Sequence, residues 1–211
     1  MILTPLIVII SSNFHRIALN ESDFWVGIPS IFVILCTTFV GDFIGYWRHR
    51  LEHSRLLWPS HSIHHSDTHM TWLTLQRFHP INRLSTYIID STFLILLGFP
   101  SYAILANGLI RHYYGYYIHA DLPWTYGKWS YIFVSPVMHR WHHAQESSAH
   151  NTNYATIFSI FDRAFGTYRV PRICDVPLGV SYMVDRNFLE QILYPFRISS
   201  YRKSNKSAKT D

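Results

Sequence analysis

Cysteine is nearly absent from this chain: there are two in 211 residues, Cys36 in an apolar run and Cys174 in a loop-like stretch. That excludes a disulfide framework and a cysteine-rich metal or redox site. Charge is scarce as well, with Asp, Glu, Lys and Arg making up 15% against about 25% in ordinary soluble domains. No G-x-G-x-x-G, P-loop or C-x-x-C-H occurs, so neither a nucleotide cradle nor a haem attachment is written here. The Glu-x-x-His pattern of soluble di-iron bundles is also missing. Residues 1–10 are apolar but short and lack a basic stretch before them. They do not read as a signal peptide, and residues 1–23 are expected to form a partial membrane segment or anchor.

Apolar and aromatic surface is plentiful. Hydrophobic residues make up 48% and aromatics 17%, yet mean hydropathy is only +0.04. The combination points to a membrane protein with a sizeable part outside the hydrocarbon. The formal charge of +5 and a pI near 9.2 raise the question of nucleic acid. The basic residues, however, sit beside apolar segments and in the last ten residues, as juxtamembrane cytoplasmic charges do, and no nucleic-acid partner is expected. One domain over 1–211 suits the length, with a polar basic tail at 200–211 expected to be disordered.

Residues 24–47 form the first convincing spanning segment, since about 20 helical residues cross the ~30 Å hydrocarbon core. Trp25, Tyr46 and Trp47 lie at its ends, where interfacial aromatics belong. Gly41 and Gly45 give G-x-x-x-G, which allows close approach of another helix. Asp42 near its end needs a partner and is a candidate support for a site. The helix is expected to run on into W-R-H-R-L-E-H, with Arg48, Arg50 and Arg55 marking the cytoplasmic side. Trp58-Pro59-Ser60 is expected to break it, with Ser60 capping the next helix. Residues 84–118 are a second apolar region interrupted at Gly98-Phe99-Pro100, read as a hairpin that returns the chain to the side it left. Tyr154 to Phe165 reads as a short helix with Gly166 as its C-terminal cap.

Histidine is the strongest signal, at 14 residues. His49 and His53 form H-x-x-x-H; His61, His64 and His65 form H-x-x-H-H; His139, His142 and His143 repeat that second spacing. On a helix, positions i, i+3 and i+4 share a face, so each set aims its imidazoles one way. A structural zinc takes four ligands and a catalytic zinc three, so eight histidines suggest two metals. Neutral imidazole suits iron, zinc, copper and nickel alike, and the ligand type alone does not choose among them. The fold class expected is all-α: an integral membrane helical bundle with a cytoplasmic histidine-rich helical cap holding a dinuclear metal site.

H-R-L-E-H, H-S-I-H-H-S-D, L-Q-R-F-H-P, I-H-A-D, S-P-V-M-H-R-W-H-H and N-Y-A-T-I-F-S-I-F-D-R-A-F-G-T-Y, in this order over about residues 40–170, resemble the fatty acid hydroxylase/sterol desaturase superfamily. The resemblance implies a multi-pass membrane enzyme with two non-haem irons on its cytoplasmic face, the C-terminus on the same side. Such an enzyme uses O₂ and external electrons to hydroxylate a C–H bond of a fatty acyl, sterol or alkylglycerol-like lipid. By motif match the iron ligands are His49, His53, His61, His64, His65, His139, His142 and His143, joined by His119 in I-H-A-D; His79 in R-F-H-P is a further candidate.

Iron fits O₂ chemistry where d¹⁰ zinc does not. Glu52, Asp67, Asp121 and Asp162 are candidates to accept the outer N–H of ligand imidazoles and fix their tautomers, Asp162 having a salt bridge to Arg163 as its plainer role. His15 and His150 read as surface groups, His69 and His112 as weaker ligand candidates. Tyr113, Tyr114, Tyr116, Tyr117, Trp72 and Trp141 are either a lipid slot or interfacial and packing aromatics. Electrons must come from outside, through a ferredoxin, a cytochrome b5-type partner or a diffusible reductant. The competing readings are a desaturase with the same centre, a metal-binding membrane protein without catalysis, and a zinc-dependent membrane hydrolase, which the number of histidines disfavours.

Overall fold

The computed structural model describes residues 23–201 apart from Met183, Asp185 and Arg186. The apolar N-terminal segment, His15 and nearly all of the basic tail lie outside the described residues. Among those described, the chain is helical with no strand, only isolated bridges between Phe133 and Phe158 and between Ala144 and Leu178.

Helix α1 spans Ser30–Glu52, 23 residues, about 34 Å at 1.5 Å per residue. It is the one described helix long and apolar enough to cross a membrane. Its polarity is inverted. Phe32, Leu35, Phe39, Phe43, Trp47 and Leu51 point outward, while Thr37, Thr38, Asp42, Arg48 and Glu52 are buried. Spacings of three and four put the exposed set on one stripe. Helix α2, Trp58–His65, follows after a short turn. Its start corrects the expected break: Pro59 sits in the first turn, where its missing N–H is an orphan anyway. Leu57 occupies the cap position, and the Ser60 hydroxyl donates to the Leu57 carbonyl at 2.7 Å instead of capping.

The apolar hairpin is present and broken where glycine and proline require. Its first arm is α3, Pro80–Ser85, a π-helical turn at Thr86–Asp90, and α4, Ser91–Leu96. Gly98 adopts φ 74°, a left-handed conformation that only glycine takes freely, and Pro100 caps α5, Ser101–His119. Helices α1 and α5 pack together, and the G-x-x-x-G notch receives side chains instead of bare backbone. A Cβ on Gly41 would meet Asn107 Oδ1 at 2.5 Å, and one on Gly45 would overlap the Arg111 guanidinium.

Helix α6, Pro136–His142, starts at Ser135, whose hydroxyl accepts from the Met138 amide. Helix α7, Ile160–Ala164, ends into Gly166 at φ 71°, as its capping role requires. Helix α8, Phe188–Leu193, closes the described chain with a 3-10 turn at Tyr194–Phe196. Tyr46, Ile118, Val134, Met138, Tyr154, Ala155 and Phe161 form a core between α1, α5, α6 and α7. It holds the ends of the histidine-bearing helices in register.

Candidate metal centre

Three histidine-bearing helices and the end of α1 converge here. His49 lies in the last turn of α1 and His53 caps it; His61, His64 and His65 lie on α2; His119 ends α5; His139 and His142 lie on α6, with His143 at its cap. Their ring nitrogens fall into two groups. His49, His53, His61, His65 and His142 form one, His64, His119, His139 and His143 the other, and within each group the donor atoms lie within 4.8 Å of one another. Each H-x-x-H-H set is divided between the groups: α2 gives His61 and His65 to the first and His64 to the second, while α6 and its cap give His142 to the first and His139 and His143 to the second.

The outer nitrogens fix the tautomers. His49 Nδ1 lies 2.7 Å from the Tyr154 carbonyl, His142 Nδ1 2.7 Å from the Thr152 carbonyl, His64 Nδ1 3.2 Å from the Thr74 carbonyl and His119 Nδ1 2.6 Å from the Gly115 carbonyl. A carbonyl only accepts, so each Nδ1 carries the proton and leaves Nε2 with a lone pair. His64 and His119 then point two lone pairs at each other, with Nε2···Nε2 3.1 Å. His49 and His61 approach at 3.1 Å, and His139 and His119 at 3.0 Å, through the same atoms. Two donors at about 2.1 Å from a shared ion and 90° apart lie about 3.0 Å from each other. Nε2 of His53, His65, His142 and His143 is buried without a partner. Burial above all, then neighbouring imidazoles, pushes His53, His61, His64, His65, His139 and His143 well below the usual imidazole range, and burial takes His142 to about 4. Lone pairs facing one another with no proton between them suit a cation, and neutral imidazole is the form that binds one.

The loop before α7 is shaped for this purpose. Asn151 and Asn153 adopt φ 58° and 57°, left-handed conformations that Asn tolerates, and between and after them the Thr152 and Tyr154 carbonyls reach two imidazoles. Two carboxylates hold the next five peptide groups. Asp162 accepts from the Tyr154 and Ala155 amides at 2.7 and 2.9 Å. Asp42 accepts from Thr156, Ile157 and Phe158 at 3.3, 3.0 and 2.8 Å. Burial lifts the Asp162 carboxyl to about 6, against the hydrogen bonds that lower it.

Of the four acidic residues expected on imidazoles, only Glu52 reaches one. It is fully buried, takes the Ser85 hydroxyl at 2.5 Å and Arg48 at 2.9 Å, and places Oε2 3.4 Å from His61 Nδ1. Asp67 accepts from the Thr74 hydroxyl, Asp121 pairs with Arg140 in an exposed bridge, and Asp162 holds the loop. Asp162 also makes no pair with Arg163, whose guanidinium stacks on Tyr168 at 3.6 Å. Backbone carbonyls took the places expected of carboxylates, because a well-placed loop satisfies an imidazole N–H without burying another charge.

His79 stands apart. Its Nδ1 accepts from the Ile81 amide and its Nε2 donates to the Ile192 carbonyl, so both nitrogens are engaged away from the two groups. His112 packs on Tyr116, His69 is exposed beside Thr68, and His150 is exposed. Among the aromatics, Trp141 is buried and donates to the Arg172 carbonyl, a packing role. Tyr114, with Tyr126, Trp129 and Phe133, lines an open apolar groove of about 530 Å³.

Sequence reasoning missed one feature: Arg48 and Arg111 both grip Asp90, at 2.9 and 2.5 Å, with Asp42 3.4 Å from Arg111. The signal was there, since Asp90 and Arg111 interrupt an apolar hairpin and charges in such places need partners.

These features define a helical protein with two adjoining all-histidine groups, each able to hold a metal ion. Residues 34–167 match the fatty acid hydroxylase family, and the chain belongs to that family. It is similar to the ornithine lipid hydroxylase of Rhizobium tropici, 33% identical over 179 residues that cover 83% of this chain and 54% of the relative. It is also similar to the alkylglycerol monooxygenase of Danio rerio (29% over 174 residues, 82% and 36%). A third relative is the Delta(7)-sterol 5(6)-desaturase of Gibberella zeae (29% over 136 residues, 62% and 36%). The chain thus spans about half or less of the length of these relatives. No solved structure matches it.

Proposed function

We propose that the chain is a membrane-bound, O₂-dependent lipid hydroxylase whose nine histidines hold two irons, five to one ion and four to the other. The observation that carries this reading is the pair of adjoining histidine groups, within one of which the unprotonated Nε2 atoms of His64 and His119 face each other at 3.1 Å. Iron so held supplies the oxidising power to take hydrogen from an unactivated alkyl carbon, drawing on O₂ and two external electrons.

The protein's own part is positional. The Thr152, Tyr154, Thr74 and Gly115 carbonyls keep Nδ1 protonated on four rings, so Nε2 is the donor. Glu52, held by Ser85 and Arg48, orients His61. Burial of the histidines keeps bulk water and protons from the donors; His61, His64, His65 and His143 are each 3% exposed or less. The inverted polarity of α1 and the apolar hairpin support a multi-pass helical membrane bundle. Arg50 and Arg55, exposed at the α1 end, support a cytoplasmic metal cap and C-terminus. The groove at Tyr114, Tyr126, Trp129 and Phe133 suits an alkyl chain. With no nucleotide or haem motif in the sequence, electrons come from a ferredoxin, a cytochrome b5-type protein or a diffusible reductant.

Protein loaded with iron, a reductant and O₂ is expected to hydroxylate one of ornithine lipid, alkylglycerol or sterol, the lipids named by its relatives. Conversion of none of them, or product formation that continues in the His64→Ala, His142→Ala double variant, contradicts the reading. A double bond in place of a hydroxyl in the product identifies a desaturase with the same centre, the activity named for the Gibberella relative.

A further inference from the structure

The C-terminal end of the described chain carries apolar surface that the metal centre does not use. Phe188 is 79% exposed, Leu189 66%, Phe196 70% and Ile198 75%. Leu189, Leu193 and Phe196 are spaced by four and three residues, which puts them on one helical stripe. The segment is not frayed. Asn187 caps α8 through the Glu190 amide, and Tyr194 is buried with Ile63 and Val184.

Its position is fixed by the hairpin. His79, the cap of α3, donates to the Ile192 carbonyl at 3.0 Å, and its ring lies 6.4 Å from that of Phe196. The apolar exterior of the hairpin begins just beyond, with Leu84 and Ile88 exposed one and two turns along that arm. Helix α8 therefore lies at the level where the outward apolar belt starts. Charge changes there too. From Asn187 to the end, the sequence has five basic residues, Arg197, Arg202, Lys203, Lys206 and Lys209, against Glu190 and Asp211. An apolar stripe followed by a basic run is the composition of a segment lying in an anionic lipid interface.

We infer that α8 and its 3-10 turn form a second membrane contact: they lie in the headgroup region of an anionic bilayer, with Phe188, Leu189, Leu193 and Phe196 inserted, and the net basic charge of the sequence from Asn187 onward selects anionic lipid. The inference rests on the membrane reading given above, and a label on α1 separates the two. Spin labels are placed at Phe188→Cys and Phe196→Cys in the full chain carrying Cys36→Ala, Cys174 being buried. The protein is studied in lipid nanodiscs of phosphatidylcholine with and without phosphatidylglycerol, with iron content measured on each sample. Native Cys36, exposed on α1, is the bilayer reference, and Ser147→Cys in the exposed polar loop, also on the Cys36→Ala background, is the aqueous one.

Both α8 labels are expected to collide more with O₂ than with a water-soluble nickel chelate, at depths between the two references. Phosphatidylglycerol should move them deeper while the Cys36 reading stays fixed. Labels that match Ser147 in anionic discs overturn the inference while leaving the membrane reading intact. Labels shielded from both collision partners overturn it in favour of a second copy of the chain covering the patch. A water-exposed Cys36 label removes the membrane reading and this inference together.

Discussion

The two histidine groups are made of the same ligand and held in different ways. In the five-membered group, His49 and His142 rest on carbonyls of one irregular loop, which two asparagines bend and two carboxylates clamp. In the four-membered group, His119 rests on Gly115 in its own helix, four residues back, and His64 on Thr74 in a short 3-10 turn. The first group is rigid only while its loop is held; the second inherits the stiffness of regular helix. The four-membered group also offers one histidine fewer than its neighbour.

Ligand deletion is the strongest way to break the comparison. His64→Ala and His142→Ala should each lower activity by more than the 10–100-fold typical of losing an outer partner. Each should also lose the iron of its own group first, as read by metal analysis of protein kept in the membrane. Loss of both ions on either substitution would make the two groups one site.

Asp162→Ala tests the loop alone. It strands the Tyr154 and Ala155 amides and the Thr167 hydroxyl, each worth about 1–3 kcal/mol when buried and unmet. Thermal stability should fall, and the five-membered group should bind iron about 10–100-fold more weakly while the four-membered group is unchanged. Equal weakening of both groups would show that the loop braces the whole core.

Acid acts on both groups. His142, depressed to about 4, is neutral in the folded protein between pH 4 and 6.5, where the unfolded chain holds a proton. The unfolded state binds more protons there, so stability is fully present above the unfolded value and falls as pH drops toward 4. His142 alone accounts for about 3 kcal/mol. Unfolding of metal-free protein followed from pH 7 to pH 5 should show that slope; a flat profile would mean the histidines are accessible to protons in the folded state.

Smaller effects sharpen the picture. Glu52→Gln keeps an acceptor near His61 but removes the charge beside Arg48, and should weaken iron in the five-membered group by about 10-fold. His79→Asn keeps a helix-capping side chain and should leave the iron content unchanged.

Much of this arrangement was legible beforehand because helical spacing is itself geometric information. H-x-x-H-H on α2 and α6 states which imidazoles share a face, and the Gly98-Phe99-Pro100 interruption states that the hairpin turns. The division of each H-x-x-H-H set between two groups was not legible, since it depends on how α2 and α6 cross. Nor were the Thr152, Tyr154, Thr74 and Gly115 acceptors, because every residue has a carbonyl and side-chain identity does not say where it points. The N-T-N-Y run carried a partial signal, as two asparagines flanking one residue favour left-handed turns. Trp58-Pro59 misled because proline ends one helix and begins another with equal ease.

Mössbauer spectroscopy of protein loaded with ⁵⁷Fe tests the central claim most directly. One ion for each of the two histidine groups predicts two iron signals of equal area with distinct parameters, the signal of the five-membered group alone being altered in Asp162→Ala. A single signal, or one iron per chain, would contradict it.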